Sequence, residues 1–341
     1  MIRQLLLLMR APLAASAVSN LLLGVGLSWR SGAPTGVEVG AIALLALATC
    51  CLYWAGMVLN DVFDVERDRE LYPQRALPSG RVPFRLAAGL GAGLVLGGLA
   101  LAGGAAALAT GSPVRGLVGA TAVALCVLGY DGGLKRIRLV GSIAMGSCRF
   151  TNALLGAYAL GLWSPSGAID PTLLHASLLG VFVTFLTWLS TYEDERAGTL
   201  AVSFGYLGLL VAPVTLIAFP LLGEGWHPLG LLGGVALFAV VLTQLISTIL
   251  EGTRARGQAT TRALLQAIWL VDLGSLLARG PLPLLGAWAL LFVLGKAGAK
   301  LLFKPPPKPR VEADASGGET STASPGTMGG DASGEDDAGA P

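Results

Sequence analysis

The stretch VEVGAIALLALATCCLYWAGMVLNDVFDVERD, residues 37–68, joins a long apolar run directly to a cluster of acidic residues. Its apolar part is long enough to cross a lipid bilayer as a helix, because a crossing takes about 20 residues. Its polar part places Asn60, Asp64 and Asp68 four residues apart, so they lie on one helix face, and Asp61 flanks that face. The stretch therefore predicts a transmembrane helix that ends in acidic side chains at the membrane surface.

The rest of the chain has the same apolar character. Of 341 residues, 53% are hydrophobic and only 13% are charged, and the mean hydropathy is +0.68. A soluble domain carries about a quarter charged residues, so we predict an all-α, polytopic membrane bundle of nine to ten transmembrane helices. The other predicted spans are Leu13–Leu27, Leu86–Ala109, Gly116–Leu128, Val140–Leu162, Leu173–Leu189, Leu200–Leu222, Leu229–Leu250, Leu282–Leu302 and the less apolar Thr261–Ala278.

Lysine and arginine are distributed unevenly between the two ends of the predicted spans. The chain has 23 Lys and Arg residues. With ten spans, only Arg30, Arg115 and Arg279 fall in loops on one side of the membrane, and Arg149 falls inside a span. All the others lie in loops or termini on the opposite side. Because cytoplasmic loops carry the excess of Lys and Arg, we expect both termini and the acidic motifs on the cytoplasmic side of the cell (inner) membrane. Nine spans would place the last basic group outside, so ten are favoured.

The composition changes sharply near residue 304. Residues 1–304 are predicted to form one membrane domain. Residues 305–341 are rich in Pro, Gly, Ser and Asp and contain almost no large apolar side chain. Such a composition cannot bury enough apolar surface to fold, so we expect a disordered cytoplasmic tail.

The oxygen-bearing side chains of Asn60, Asp61, Asp64 and Asp68, hereafter the acidic face, indicate a cation site. Oxygen-bearing side chains stacked on a helix repel one another unless a cation lies among them. Hard divalent cations prefer such oxygens, and Mg²⁺ shares its shell with substrate phosphates. The alternative is a solvated helix end with surface ion pairs among Glu66, Arg67, Arg69 and Glu70. Because the cluster continues directly from an apolar span and opens an Arg-rich loop, we favour a Mg²⁺–diphosphate site.

At this point the chain resembles a known family. The acidic face matches the N-D-x-x-D-x-x-x-D motif of the UbiA superfamily of intramembrane prenyltransferases, and Gln74–Arg81 is similar to the R-P-L-P-S-G segment that follows it. Tyr130–Arg136 resembles the family's Y-x-x-x-L-K-R segment, and Arg10-Ala11-Pro12 resembles the opening of its first span. The likeness covers about residues 10–250, and Cys148–Gly156 is similar to the EboC-type subgroup.

The resemblance implies a Mg²⁺-dependent transfer of a prenyl group from a prenyl diphosphate to an aromatic or other lipophilic acceptor, and no nucleic-acid partner. It implies that the acidic face holds Mg²⁺ and that Asp64, Asp68 and Lys135 are catalytic. It further implies that the diphosphate contacts are made by Asn60, Arg75, Tyr130, Lys135 and Arg136.

The chain departs from the family at the second acidic motif, which is typically D-x-x-x-D. Here Ser190 and Thr191 stand four residues before Asp194 and Glu195. Hydroxyl groups bind metals less well than carboxylates do, so a second Mg²⁺ site at Asp194 and Glu195 is expected to be weaker than in typical members. Ala76 also replaces the usual proline.

Two other functions remain open from the sequence. The first is a non-catalytic relative that binds or translocates a polyprenyl lipid precursor. The second is an unrelated transporter, which predicts functional polar groups at mid-membrane. Arg149 lies near the cytoplasmic end of its span, where reaching towards the membrane surface is one interpretation and a functional role is the other. Asn152 and Asp272 lie deeper, and an acid such as Asp272 is costly enough in lipid to suggest a role.

Overall fold

The computed structural model describes residues 1–29, 34–163, 170–192, 199–222, 226–251, 254–281 and 283–303. The described residues form helices joined by short turns, with 3₁₀ turns at Ala11–Leu13 and Leu134–Arg136. The helices are α1 (Ile2–Leu8), α2 (Ala14–Ser28), α3 (Gly36–Phe63), α4 (Val65–Leu71), α5 (Phe84–Thr110), α6 (Val114–Gly132), α7 (Arg138–Ala159), α8 (Pro171–Ser190), α9 (Thr199–Leu209), α10 (Val211–Leu222), α11 (Gly230–Glu251), α12 (Arg254–Arg279) and α13 (Leu284–Leu302).

The number of spans agrees with the sequence prediction. Within the described residues, nine helical segments are long and apolar enough to cross a membrane, and α9 with α10 forms one of them. The two are divided at Leu210, where Pro213 cannot donate to the carbonyl four residues earlier. The predicted all-α, multi-pass membrane bundle is confirmed.

Helix α7 is as long as the others but less apolar, and it completes the set of ten. It lies inside the bundle, where it packs against α2, α6 and α8. Arg149, Asn152 and Thr151 on this helix find polar partners within the protein. A span surrounded by other helices can carry such residues because their polar atoms never face lipid hydrocarbon.

Two apolar cores divide the bundle into halves. The first core joins α2, α3, α5, α6 and the end of α7 through residues such as Leu45, Ala105 and Leu155. The second joins α8 to α12 through residues such as Phe182 and Leu237. The halves meet where α2 and α7 contact α8 and where α12 contacts α2, so polar groups on these helices lie between the two cores.

A smaller cluster fixes the loop between α4 and α5. Leu77 and Val82 of the loop are buried against Leu8 of α1 and Val58 of α3. This packing holds the Arg-rich loop over the end of α3, which is where the acidic face lies.

Some glycines of α5 and α6 lie where two helices approach closely, and others do not. A Cβ atom on Gly116 would lie 1.9 Å from the carbonyl oxygen of Ala102, so α5 and α6 touch there. Gly91 and Gly98 likewise face side chains of α3. Gly89, Gly93 and Gly97 have nothing within 4 Å of an added Cβ, so these three glycines do not lie at a contact between helices.

We predict opposite effects for two glycine substitutions. Gly116→Ala should lower the midpoint of thermal unfolding in detergent, because the helices must separate at a cost of about 1–3 kcal/mol. Gly97→Ala, on the adjacent helix, should leave the midpoint unchanged or raise it, because alanine is the better helix former. Equal midpoints for the two variants would contradict the close contact at Gly116.

The boundary of the membrane domain stays a prediction. Helix α13 ends at Leu302, close to the predicted end at residue 304. The predicted disordered tail, residues 305–341, lies outside the described residues.

Candidate active site

The acidic face runs along one continuous helical track. Helix α3 ends at Phe63 and α4 begins at Val65, yet the amide of Asp64 donates to the carbonyl of Asn60 and the amide of Asp68 donates to that of Asp64. Helical hydrogen bonding therefore continues through the junction. The predicted stacking of Asn60, Asp64 and Asp68 at four-residue intervals is present in the backbone.

Lys135 lies directly over this face. Its Nζ donates to Asp64 Oδ2 at 2.7 Å and to Asn60 Oδ1 at 3.0 Å. The 3₁₀ turn Leu134–Arg136 brings the lysine there after α6 ends at Gly132, and Gly133 permits the turn with φ +153°. The Lys135 side chain is only 15% exposed, so its charge acts on Asp64 with little screening by water.

Arg75 occupies the other end of the face. Its guanidinium donates to Asp68 Oδ2 at 2.6 Å and lies 4.3 Å from the centre of the Tyr72 ring. The Asp68 side chain is 5% exposed. A buried carboxylate without a partner is costly, so this ion pair fixes the loop that carries Arg75.

A third basic residue, which we had not assigned to the site, is Arg10. Its NH2 lies 4.0 Å from Asp61 Oδ1, and that buried oxygen accepts no hydrogen bond from the described residues. Arg10 has φ 47°, a left-handed conformation that a non-glycine residue rarely adopts. This turn, before the 3₁₀ turn at Ala11–Leu13, directs the side chain to α3, and the R-P-like opening of the span was the only sequence signal for it.

The remaining predicted diphosphate contacts are placed unequally. Tyr130 lies within electrostatic range of Asp64 and Arg10, and Asp131 is buried one turn before Lys135, with which it interacts. Arg136 is exposed, and no hydrogen bond or ion pair among the described residues joins it to the acidic face. The structure thus gathers Tyr130 and Lys135 at the face and leaves Arg136 at its edge.

The second acidic motif is described only in part. Asp194 and Glu195 lie outside the described residues. Ser190 Oγ donates to the carbonyl of Thr187 at 2.8 Å, and Thr191 Oγ1 donates to that of Trp188 at 2.7 Å. Both hydroxyl groups are thus bonded to their own helix.

The site as a whole pairs each carboxylate of the acidic face with one cation. Arg10 faces Asp61, Lys135 faces Asp64 and Arg75 faces Asp68. In contrast, Arg69 and Glu66 form the surface ion pair that the alternative interpretation expected, with side chains 58% and 78% exposed. The acidic face is therefore a neutralised cluster at the end of a span, with cations that an anionic ligand could recruit.

The acidic face has the donor chemistry for Mg²⁺. Carboxylate and amide oxygens are the ligands this ion prefers, and one or two carboxylates suffice when substrate phosphates complete its shell. Asp61 Oδ1, which accepts no hydrogen bond from the described residues, is one oxygen available to it. Among the described residues no three His, Cys, Asp or Glu side chains converge to hold a metal by themselves, so the oxygens of a phosphorylated substrate would have to complete the shell.

Together, these features define a class: an intramembrane helical bundle in which paired acidic and basic side chains, suited to a diphosphate, lie at the end of the spans.

Comparison with known proteins leads to the same class. The UbiA prenyltransferase family matches residues 17–271, a range that includes the acidic face and Lys135. The chain belongs to the UbiA prenyltransferase family, and the expected class of enzyme, a prenyltransferase, is confirmed.

Individual relatives are consistent with this membership. The digeranylgeranylglyceryl phosphate synthase of Ignicoccus hospitalis is 32% identical over 241 residues, covering 64% of this chain and 77% of the relative. That of Metallosphaera sedula is 29% identical over 242 residues, covering 67% and 80%.

Two solved structures share the fold. One concerns digeranylgeranylglyceryl phosphate synthase, with a TM-score of 0.56 at 17% identity, and the comparison covers 81% of this chain and 99% of that one. The other is the apo structure of a UbiA homolog from Aeropyrum pernix K1, with a TM-score of 0.55 at 20% identity, covering 76% and 96%.

The Arg75–Asp68 ion pair generates a test of the site's construction. Arg75→Met should leave a buried carboxylate unpaired, at a cost of about 1–3 kcal/mol, and release the loop between α4 and α5. We expect faster cleavage of this loop in limited proteolysis. Arg69→Met is the matched control, because exposed ion pairs contribute little. Identical proteolysis of both variants would contradict the anchoring role.

Proposed function

We propose that this protein transfers a prenyl group from a prenyl diphosphate to a lipophilic acceptor, with Mg²⁺ held at the acidic face. The observation that carries the proposal is the pairing of Asp61, Asp64 and Asp68 with Arg10, Lys135 and Arg75. A Mg²⁺–diphosphate complex has the matching charges, since its metal attracts the carboxylates and its phosphate oxygens attract the cations. Binding would exchange partners within the cluster without leaving any charge unpaired.

In this mechanism the cations hold the leaving group. The allylic C–O bond of the prenyl diphosphate breaks, and its electron pair leaves with the diphosphate, whose negative charge increases. Lys135 and Arg75 are placed to bind these oxygens, with Tyr130 and Arg10 beside them, and fixed positive groups stabilise such developing charge. Bound Mg²⁺ would supply further positive charge at the same oxygens.

The acceptor completes the reaction within the bundle. Its nucleophilic atom forms the new bond to the allylic carbon and loses a proton. An allylic cation reacts with whatever nucleophile it meets, so the space around it must exclude water. In this proposal the space is bounded by α2, α3 and α7, which contact one another.

The names of the relatives suggest a first acceptor. A digeranylgeranylglyceryl phosphate carries two geranylgeranyl groups on a glyceryl phosphate, so geranylgeranyl diphosphate with geranylgeranylglyceryl phosphate is the pair to assay first. The EboC-type likeness of Cys148–Gly156 remains a prediction, and it keeps aromatic acceptors in the assay panel.

Prenyl transfer by the purified protein should require Mg²⁺ and Asp64. Asp64→Asn should lower kcat/KM by about a hundredfold to a thousandfold, because Asp64 would hold the Mg²⁺ that stabilises the charge on the departing diphosphate. Glu70→Gln removes an exposed carboxylate from the same helix and should have no effect. Full turnover in chelator, or in Asp64→Asn, would refute the assignment.

The same assay separates catalysis from binding alone. The alternative of a non-catalytic lipid-binding protein predicts Mg²⁺-dependent binding of geranylgeranyl diphosphate with no turnover for any acceptor. We expect turnover, and we expect the double variant Asp194→Asn, Glu195→Gln to raise the Mg²⁺ concentration needed for half-maximal rate. An unchanged Mg²⁺ requirement would remove these two residues from the proposed metal site.

We further propose that the acidic face and both termini lie on the cytoplasmic side. In intact cells, Ser112→Cys, between α5 and α6, should react with a membrane-impermeant maleimide. Ser79→Cys, in the loop between α4 and α5, should react only after the membrane is opened. The reverse pattern would invert the orientation.

A further inference from the structure

A second charged group lies deep in the bundle, apart from the acidic face. Arg149 is in the middle of α7, where its NH1 donates to Asn20 Oδ1 at 2.8 Å and its NH2 donates to Ser16 Oγ at 3.2 Å. The side chain turns inward to α2. The interpretation of Arg149 as reaching towards the membrane surface is therefore wrong.

Asn20 is held in turn by a buried acid. Its Nδ2 donates to both carboxylate oxygens of Asp272, at 2.8 and 2.9 Å, and Ser19 Oγ also donates to Oδ2. Asp272 is completely buried. His175 Nε2, which has no hydrogen-bond partner among the described residues, lies 3.6 Å from Asp272 Oδ1. The hydroxyl of Ser19 and the amide of Asn20 thus donate to both oxygens of the buried Asp272 side chain.

The hydrogen bonds from Asp272 through Asn20 orient the guanidinium of Arg149 without bringing a carboxylate into contact with it. Asn20 uses its amide group to bind the acid and its carbonyl oxygen to bind Arg149, so the two charges are separated by one side chain. Among the described residues, no carboxylate lies within 4.0 Å of Arg149. A guanidinium has five N–H donors, and the two bonds leave donors for another partner.

The position of Arg149 points towards the reaction space. Its guanidinium lies 5.8 Å from the centre of the Tyr53 ring. Tyr53 is seven residues before Asn60 on α3, on the same helix face, and therefore about 10 Å deeper along the axis. Tyr53, Asn60 and Asp64 are all partly accessible, whereas Leu52 and Leu59 of the same helix are buried. Arg149 thus lies beside the helix that carries Asn60 and Asp64, about two turns deeper than the acidic face.

We infer that Arg149, oriented by Asn20 and Asp272, is a second anion-binding site, which binds an oxyanion on the lipophilic acceptor. A charged side chain within a membrane is costly and marks a functional position when it keeps unused donors. A planar guanidinium fits a phosphate or a carboxylate with paired hydrogen bonds. The inference rests on the proposed function, since it assigns the acceptor's anion to Arg149 and the donor's diphosphate to the acidic face.

The test compares pairs of compounds in which one member carries an anionic group and the other carries an alcohol in its place. Dissociation constants are measured in detergent for geranylgeranylglyceryl phosphate and geranylgeranylglycerol, and for 4-hydroxybenzoate and 4-hydroxybenzyl alcohol. The wild-type protein should bind the charged member of one pair more tightly, and the pair that shows the difference identifies phosphate or carboxylate. Arg149→Met should weaken that binding by about tenfold to hundredfold, to the level of the alcohol, and Arg149→Lys should restore part of it.

Binding of the donor separates this inference from the proposed function. Mg²⁺-dependent affinity for geranylgeranyl diphosphate should be the same in Arg149→Met as in wild type, which also shows that the variant is folded. Arg85→Met, which removes an exposed arginine at the start of α5, controls for charge. Loss of donor affinity in Arg149→Met, or equal affinity of the wild type for both members of each pair, overturns the inference. Absence of donor binding in the wild type would instead refute the proposed function.

Discussion

The pairing of charges at and within the membrane-embedded bundle constrains the rest of this structure. A carboxylate without hydrogen-bond donors or a cation beside it is costly in a water-poor interior, so the partners of Asp64, Asp68 and Asp272 determine where neighbouring segments lie. Lys135 must approach α3, which fixes the turn between α6 and α7. Arg75 must reach Asp68, which folds the loop after α4 back over the helix end. The local geometry of the site follows from satisfying these charges.

The same constraint explains why α7 departs from the composition of its neighbours. A helix that faces lipid must be apolar over most of its surface, whereas α7 is surrounded by α2, α6 and α8. Asn152 can therefore bind the carbonyl of Ala17 and accept a hydrogen bond from Thr49, joining three spans. These polar groups of α7 thus hold α2 and α3 together inside the bundle. Mid-membrane polar groups are a feature expected of transporters, but here they belong to a prenyltransferase fold.

The sequence predicted the parts of this structure that depend on local pattern. Span positions follow from apolar runs, and the stacking of Asn60, Asp64 and Asp68 follows from helical periodicity. Contacts that depend on tertiary packing could not be predicted this way. Arg149 and Asn20 are 129 positions apart, and Asn20 and Asp272 are 252 apart. The role of Arg10 depends on a left-handed turn that its neighbours do not indicate, and Gly97 and Gly98 look alike in sequence although only Gly98 contacts another helix.

The separation of the two cationic regions has a chemical consequence. Two anionic substrates that bound side by side would repel each other, and that repulsion would increase as the diphosphate departs. In the proposed arrangement, a spacing of about two helical turns between the acidic face and Arg149 would place the reacting part of the acceptor between the two anions. Because Asp272 and Asn20 hold Arg149 from behind, the guanidinium is oriented before the acceptor arrives, and less conformational freedom is lost on binding. A bundle with a weakened second acidic motif would thus depend more strongly on positioning the acceptor than on additional metal charge.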